Sequence, residues 1–478
     1  VLALAACTAD EPQPSSSPSA SASPSPSPSS DALPAPAAFE RSSWSTTDAF
    51  LGAASFLAVG GTAETRATLA TSVGTRLFFA GEHTAEAGPG SVTGARNSGL
   101  RAARELVGMA EPGERVLVVG AGMAGATAAF ELAAEGFEVI VLEARERSGG
   151  RIGSIASADW PFPVERGAAF FDTEADAELL DALDEAGIAT VPLVATEVRN
   201  PDGTQGSAPV AGAELVASAV SFAEGQAEDR TLLAALGAVM AGSPGGVDAA
   251  SLGAYLGTVI ERRTGGGSRD LSAQHGVAER IDPLEYVGTD APGRALAVTG
   301  GLENYIRVLL DGLDVRLANG VAEVSVRDEA VGVRLTTGES LTAQRIVVTA
   351  PLGALKSGGI TFRPELPQTH RDALERVDVG RRESVLLRFE EPFWDSTAAL
   401  WTVTGARRHF ASWVNLEPAT GEPVLLGVVA AESAEYVSRL GDQQVLDLAI
   451  ESLLPFRAAE PAPSPSASGS ASPEPAAP

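Results

Sequence analysis

The sequence predicts an α/β protein: a Rossmann-like parallel sheet flanked by helices, joined to a second, α+β part. Three observations carry that prediction. Between Arg115 and Arg151 an apolar run, Val116 to Val119, breaks at the turn GAGMAG, passes into a helical pattern, and returns as a second apolar run, Val139 to Leu142, ending on Glu143. A strand-like run from Leu77 to Ala80 and a helical pattern from Val92 to Leu106 precede it, forming one more βαβ unit. Ala-rich helical patterns from about 174 to 290, then apolar or alternating runs from Val321 to about Val429, supply the second part.

The turn places Gly120, Gly122 and Gly125 in G-x-G-x-x-G spacing around Met123 and Ala124. Gly120 allows a tight turn, Gly122 lets the backbone approach a pyrophosphate, and Gly125 lets helix pack on strand. Phosphates then sit at the helix N-terminus, where free N–H groups and the dipole favour anions. Glu143, about 20 residues on, can accept hydrogen bonds from a ribose. Strand, glycines, helix, strand and acid in this order predict a dinucleotide site.

At 478 residues the chain accommodates two domains with linkers. The net charge of −28 argues against nucleic acid; it suits cationic ligands or, more simply, a solvated acidic surface. One cysteine and four histidines offer no intrachain disulfide and no zinc-site spacing, so no metal site is expected. No apolar run reaches the ~18 residues of a membrane span. Leu4-Ala5-Ala6-Cys7 resembles a bacterial lipobox, predicting a lipidated Cys7 at the end of a truncated signal (residues 1–7) and membrane contact through that anchor only. Residues 8–38 read as a disordered Ser/Pro linker and 457–478 as a disordered tail.

Two stretches carry a family resemblance. LEARERSGGR, ending on Gly150 and Arg151, resembles the flavin-binding opening of the flavin amine oxidases, and LFFAGEHT…GSVTGARNSGLRAAREL resembles their closing FAD-binding segment. That family includes monoamine, polyamine and L-amino-acid oxidases and histone demethylases. There the closing segment ends the chain; here it precedes the fingerprint, so the order looks circularly permuted, with the old junction between Phe456 and Phe39. The alternative is that residues 39–108 are the remnant of a second, lost domain. The resemblance implies a glutathione-reductase-type FAD-binding domain (76–172 and 295–358) and a substrate domain drawn from 39–75, the helical 173–294 and the sheet of 359–456. For FAD it implies contacts from Ala144 and Arg145 after Glu143, from Gly167 and Ala168 beside the flavin, and from Val321 against the adenine. In the displaced segment it implies Gly81 and Glu82 near the pyrophosphate and ribityl chain, and Ser91, Val92 and Ala95 on the helix facing the flavin. His83 reads as structural.

The chemistry implied is hydride transfer from the α-carbon of an amine or amino acid to flavin N5, then imine hydrolysis and reoxidation by oxygen to peroxide. Lys356, the only lysine in the chain, stands in PLGALK, which resembles the family's T-x-P-L-G-V-L-K. It is the expected catalytic residue, holding a water at N5. Ala54 and Ser91 stand at two substrate-pocket positions where relatives place the aromatic walls of an amine cage, so cation–π attraction is missing there. Ala53 replaces a flavin-linking cysteine found in some relatives, implying noncovalent FAD. Export as a lipid-anchored protein, folded with FAD through a twin-arginine route, completes the expectation. The alternatives are a flavin desaturase or porphyrinogen-type oxidase, and an FAD-binding lipoprotein whose catalysis has decayed.

Overall fold

The apolar runs flanking the glycine turn become neighbouring strands. The computed structural model describes residues 33–242, 248–280, 282–289, 293–405 and 409–458. Strands Leu77–Phe79 (β1), Arg115–Val119 (β2), Glu138–Leu142 (β3), Asp314–Arg316 (β4) and Arg345–Val348 (β5) form one sheet in the order β4-β3-β2-β5-β1, parallel throughout. Successive side chains point to opposite faces. Val116 and Val118 pack beneath helices Val92–Val107 (α1) and Met123–Ala134 (α2). Leu117 and Val119 pack on the other face against the antiparallel strands Val321–Val326 and Val331–Leu335. Burial on both faces explains why β2 and β3 read as near-continuous apolar runs.

β1 leads through α1 to β2, but the two strands are not neighbours, because β5 lies between them. The helices meet at close range: a Cβ on Gly99 of α1 would lie 2.4 Å from the Ala124 carbonyl oxygen of α2.

The second part is a six-stranded sheet on strands Arg382–Arg388 (β6), Leu400–Val403 (β7), Ser412–Asn415 (β8) and Val424–Ala430 (β9). Its order is Ala38–Arg41, β6, β9, β8, β7, Thr196–Arg199, antiparallel except for the last pair. Helices Val210–Glu224, Leu232–Ala241 and Ala249–Tyr255 form the expected Ala-rich helical part. That stretch also holds two short strands that helical periodicity did not predict, Thr190–Pro192 and Thr196–Arg199, in a Val/Thr-rich sequence that favours extended backbone. Thr361–Arg363 pairs in parallel with Glu323–Ser325 on the dinucleotide side, so the second sheet starts later than residue 359.

Residues 38–107 are woven into this body. Ala38–Arg41 pairs with β6, Ala54–Leu57 with Val377–Gly380, β1 with β5, and α1 packs on α2. They complete sheets belonging to the rest of the chain. Leu33 and Phe39 pack on the cluster that contains Phe456, so the two ends of the described body share one core. Residues 33–38, expected in the linker, already lie against the body, and Ala37 donates to the Arg388 carbonyl. The lipobox with Cys7, the Ser/Pro segment to residue 32, Gly245-Gly246 and the tail from 459 lie outside the described residues.

Candidate active site

Glycine geometry builds the floor of the site. Gly120 has φ +104°, and a Cβ there would lie 2.7 Å from Thr349 Oγ1. A Cβ on Gly125 would lie 1.9 Å from the Gly120 carbonyl oxygen, so this residue serves close packing and does not line the cleft. Gly122 differs: a Cβ there would meet nothing nearer than 3.8 Å, which leaves open space for a ligand over the turn. Glu143 props the turn from below, accepting from Ala121 N at 2.8 Å and from Arg145 N at 2.9 Å. The Ser148-Gly149-Gly150 run folds back on it, with Gly149 N donating to Ala121 O.

Gly120, Gly122, Glu143, Gly149, Gly150 and Thr349 line one continuous cavity of about 860 Å³. Val321 lines it near Ala144, which a Cβ on Gly320 would approach at 3.3 Å. The lining continues through Glu143, Gly122, Met123, Ala124, Gly150 and Arg151, with Gly167 and Ala168 beside them. Gly81, Glu82, Ser91, Val92, Ala95 and Ala54 complete the lining from the N-terminal block. Ser91 caps α1: its Oγ accepts from Gly94 N at 2.9 Å and donates to Gly88 O at 2.6 Å. Among the described residues the N–H groups of Val92 and Thr93 have no protein acceptor, so the helix end offers them to a ligand.

The two blocks of sequence meet in a buried network. Glu82 Oε1 accepts from Arg151 Nη1 at 2.8 Å, and Oε2 accepts from Ser55 Oγ at 2.6 Å. Arg151 also donates to Ala53 O, and Arg66 ties Ser55 Oγ and His83 O to Glu279. Burial opposes ionisation of Glu82, but Arg151, His83 and Ser55 outweigh it and hold its carboxyl down to about 2. Burial, helped by Arg151, Arg66 and Arg101, pushes His83 down to about 4, so its ring is neutral and structural.

Two expectations need correction. Lys356 ends the short helix Leu352–Lys356, which turns Leu352 and Gly353 inward and carries the lysine away from the cavity. Its Nζ donates to Val377 O at 2.9 Å and pairs with Asp378 at 3.0 Å, so it is a surface ion-pair residue, not one poised at a cofactor. Arg145 does not line the cavity either; its guanidinium lies 5.1 Å from the centre of the Phe50 ring.

Reading the sequence also missed a cluster of charge at the far end of the cleft. Arg262, Arg280, Asp282, Arg382 and Asp176 all line it. Arg262 Nε donates to Asp282 Oδ2 at 2.7 Å, whereas Nε and Nη1 of Arg280 are buried without a partner. No spacing or motif set these residues apart from the other arginines of the chain.

The model of the flavin-containing amine oxidoreductase family matches residues 26–107 and 123–469. The chain belongs to that family. FAD is therefore its cofactor, and the open space over Gly122 and the free N–H groups of α1 fit it. Among relatives of the family, polyamine oxidase 3 of Oryza sativa subsp. japonica is 29% identical over 370 residues, covering 72% of this chain and 74% of its own length. Polyamine oxidase 2 of Arabidopsis thaliana is 27% identical over 359 residues, covering 71% of each. The structure of wild-type putrescine oxidase bound to putrescine has the same fold at 18% identity, with TM-score 0.57 over 72% of this chain and 81% of that one.

One acid beside the flavoprotein cleft sets a pH dependence. Glu165 accepts from Leu302 N and Ser154 Oγ, yet burial pushes its carboxyl up to about 7. A folded-state value above the unfolded one means stability is greatest below the unfolded pKa and is lost as pH rises through 7. The loss is about 3 kcal/mol at 1.36 kcal/mol per unit. Glu165→Gln is expected to remove most of it, so urea midpoints of the variant should fall less between pH 5 and pH 8 than those of the wild type. Parallel pH profiles would contradict this assignment.

Proposed function

We propose that this protein oxidises a small-molecule amine or amino acid, with noncovalent FAD as cofactor and oxygen as electron acceptor. The observation that carries the reading is the single cleft in which the glycine turn, the Gly81–Glu82 loop, the N-terminus of α1 and the Ala54–Ser91 pair meet. The names of the polyamine oxidase and putrescine oxidase relatives support an amine as the reductant.

When bound, FAD supplies the two-electron acceptor for the hydride on the amine-bearing carbon and passes the electrons to oxygen. The protein's part is orientation and electrostatics. The Val92 and Thr93 N–H groups stabilise negative charge at the end of α1. Phe170, Leu284, Leu426 and Val428 give the cavity apolar walls that exclude water. Ala53 offers no side-chain nucleophile for a covalent link.

One observation favours a second reading, an FAD-binding protein without catalysis: the lysine expected to serve the reaction lies outside the cleft. Purified protein is expected to be yellow, to release FAD on denaturation, and to form peroxide with at least one member of an amine and amino-acid panel. FAD binding without peroxide from any member would favour the second reading, and a colourless preparation that takes up no FAD would overturn both.

We further infer that the order of the chain is circularly permuted relative to its family. The shared core of Leu33, Phe39 and Phe456 and the edge position of β1 support this. Joining residue 458 to residue 33 and opening the chain between Gly108 and Arg115 should give a protein that binds FAD with unchanged affinity. Failure of that chain to fold or bind FAD would contradict the inference. Lipidation of Cys7 and anchoring outside the cytoplasm are proposed on the sequence resemblance alone; radiolabelled palmitate should be incorporated by the wild type and not by Cys7→Ser.

A further inference from the structure

The far end of the cleft carries more positive charge than its neighbours neutralise. Arg262, Arg280 and Arg382 face two carboxylates, Asp282 and Asp176. Asp282 is committed, accepting from Arg262 Nε at 2.7 Å and from Leu284 N at 3.2 Å. Asp176 is committed as well, accepting from Thr93 Oγ1 and from Asp172 N. The nearby pairs Glu82–Arg151 and Glu279–Arg66 are internally balanced. Among the described residues, Arg280 alone leaves two guanidinium nitrogens, Nε and Nη1, buried without a hydrogen-bond partner. A buried guanidinium with two unmet donors is costly unless an anion completes it.

The position of Arg280 says what that anion belongs to. A Cβ built on Gly90 would lie 3.0 Å from Arg280 Nη1, 3.4 Å from Arg280 Cδ and 3.4 Å from the Ala54 Cβ. The guanidinium therefore stands against Gly90 and Ala54, next to Ser91. The lack of a side chain at Gly90 leaves the volume it occupies, and a side chain there would crowd its Nη1. A cation at this place repels a bare ammonium and attracts a carboxylate, which two guanidinium N–H groups can hold in a planar fork.

We propose that Arg280, with Arg382 beside it, forms a carboxylate-binding subsite, so that the substrate is an amine bearing a carboxylate and not a simple diamine. This rests on the amine-oxidase reading above and narrows it. Charge in the cluster agrees: after burial, the neighbouring Arg280 charge lowers the Arg382 pKa, and an added anion offsets that repulsion.

The test compares pairs of amines that differ only by a carboxylate, ornithine with putrescine and lysine with cadaverine, by steady-state oxygen consumption and by anaerobic flavin reduction of the holoenzyme. The carboxylate-bearing member should have the higher kcat/KM by about 100-fold or more, as loss of a charge-assisted pair predicts. Arg280→Met should raise KM for the amino acid by 10-fold or more with a smaller change in kcat, and Arg280→Lys should recover part of that loss. Faster reduction by putrescine than by ornithine would overturn the subsite while leaving amine oxidation intact. If no amine reduces the flavin, the functional reading fails and the subsite is decided by pentanoate titration, followed in the flavin absorbance. Saturable binding that weakens in Arg280→Met supports the subsite. Absence of pentanoate binding to the wild type, or equal binding by both proteins, overturns it. If Arg280→Met does not fold, the same titration on Arg280→Lys and the wild-type substrate pairs decide the matter.

Discussion

The Glu82–Arg151 ion pair is the contact on which the cleft depends. Glu82 follows β1 in the N-terminal block, and Arg151 closes the glycine-rich half that begins at Arg115. The carboxylate side chain is only 6% exposed, so its charge is met by Arg151 and Ser55 and not by bulk water, whereas the arginine is 24% exposed. Removing one partner of such a pair strands the other, which is why these pairs destabilise severely when broken. Ser55, Ala53, Arg66 and Glu279 extend the pair into a network that fixes the Ala53–Ser55 segment and the Glu82–His83 loop around the same cavity.

Residues 38–107 touch the remainder through strands in three sheets and the α1–α2 contact. The ends of the described body meet over one apolar core, where a covalent link adds little beyond the reduced entropy of the unfolded chain.

Different parts of the molecule were legible in the sequence for different reasons. The glycine turn and its flanking strands were readable because backbone geometry admits few residues at Gly120 and Gly125, and because burial on both faces writes a continuous apolar run. The motif residues of the N-terminal block were readable as well, and nearly all of them line the cleft. Lys356 was misread because its rarity is a property of composition, whereas its direction is set by a five-residue helix whose inward side is Leu352 and Gly353. The arginine cluster was invisible for the opposite reason. Arg262, Arg280 and Arg382 come from separate elements, look like any other arginine in a lysine-poor chain, and gain meaning only when the fold places them around Asp282.

A double-mutant cycle across Glu82 and Arg151 tests most directly whether one buried contact joins the two blocks into a single site. Glu82→Gln, Arg151→Met and the double variant would be compared by denaturant unfolding of the holoenzyme. The account predicts a coupling of about 2 kcal/mol, with both single variants losing FAD more readily than the wild type. Effects that add to within about 0.5 kcal/mol, with FAD retention unchanged, would contradict it.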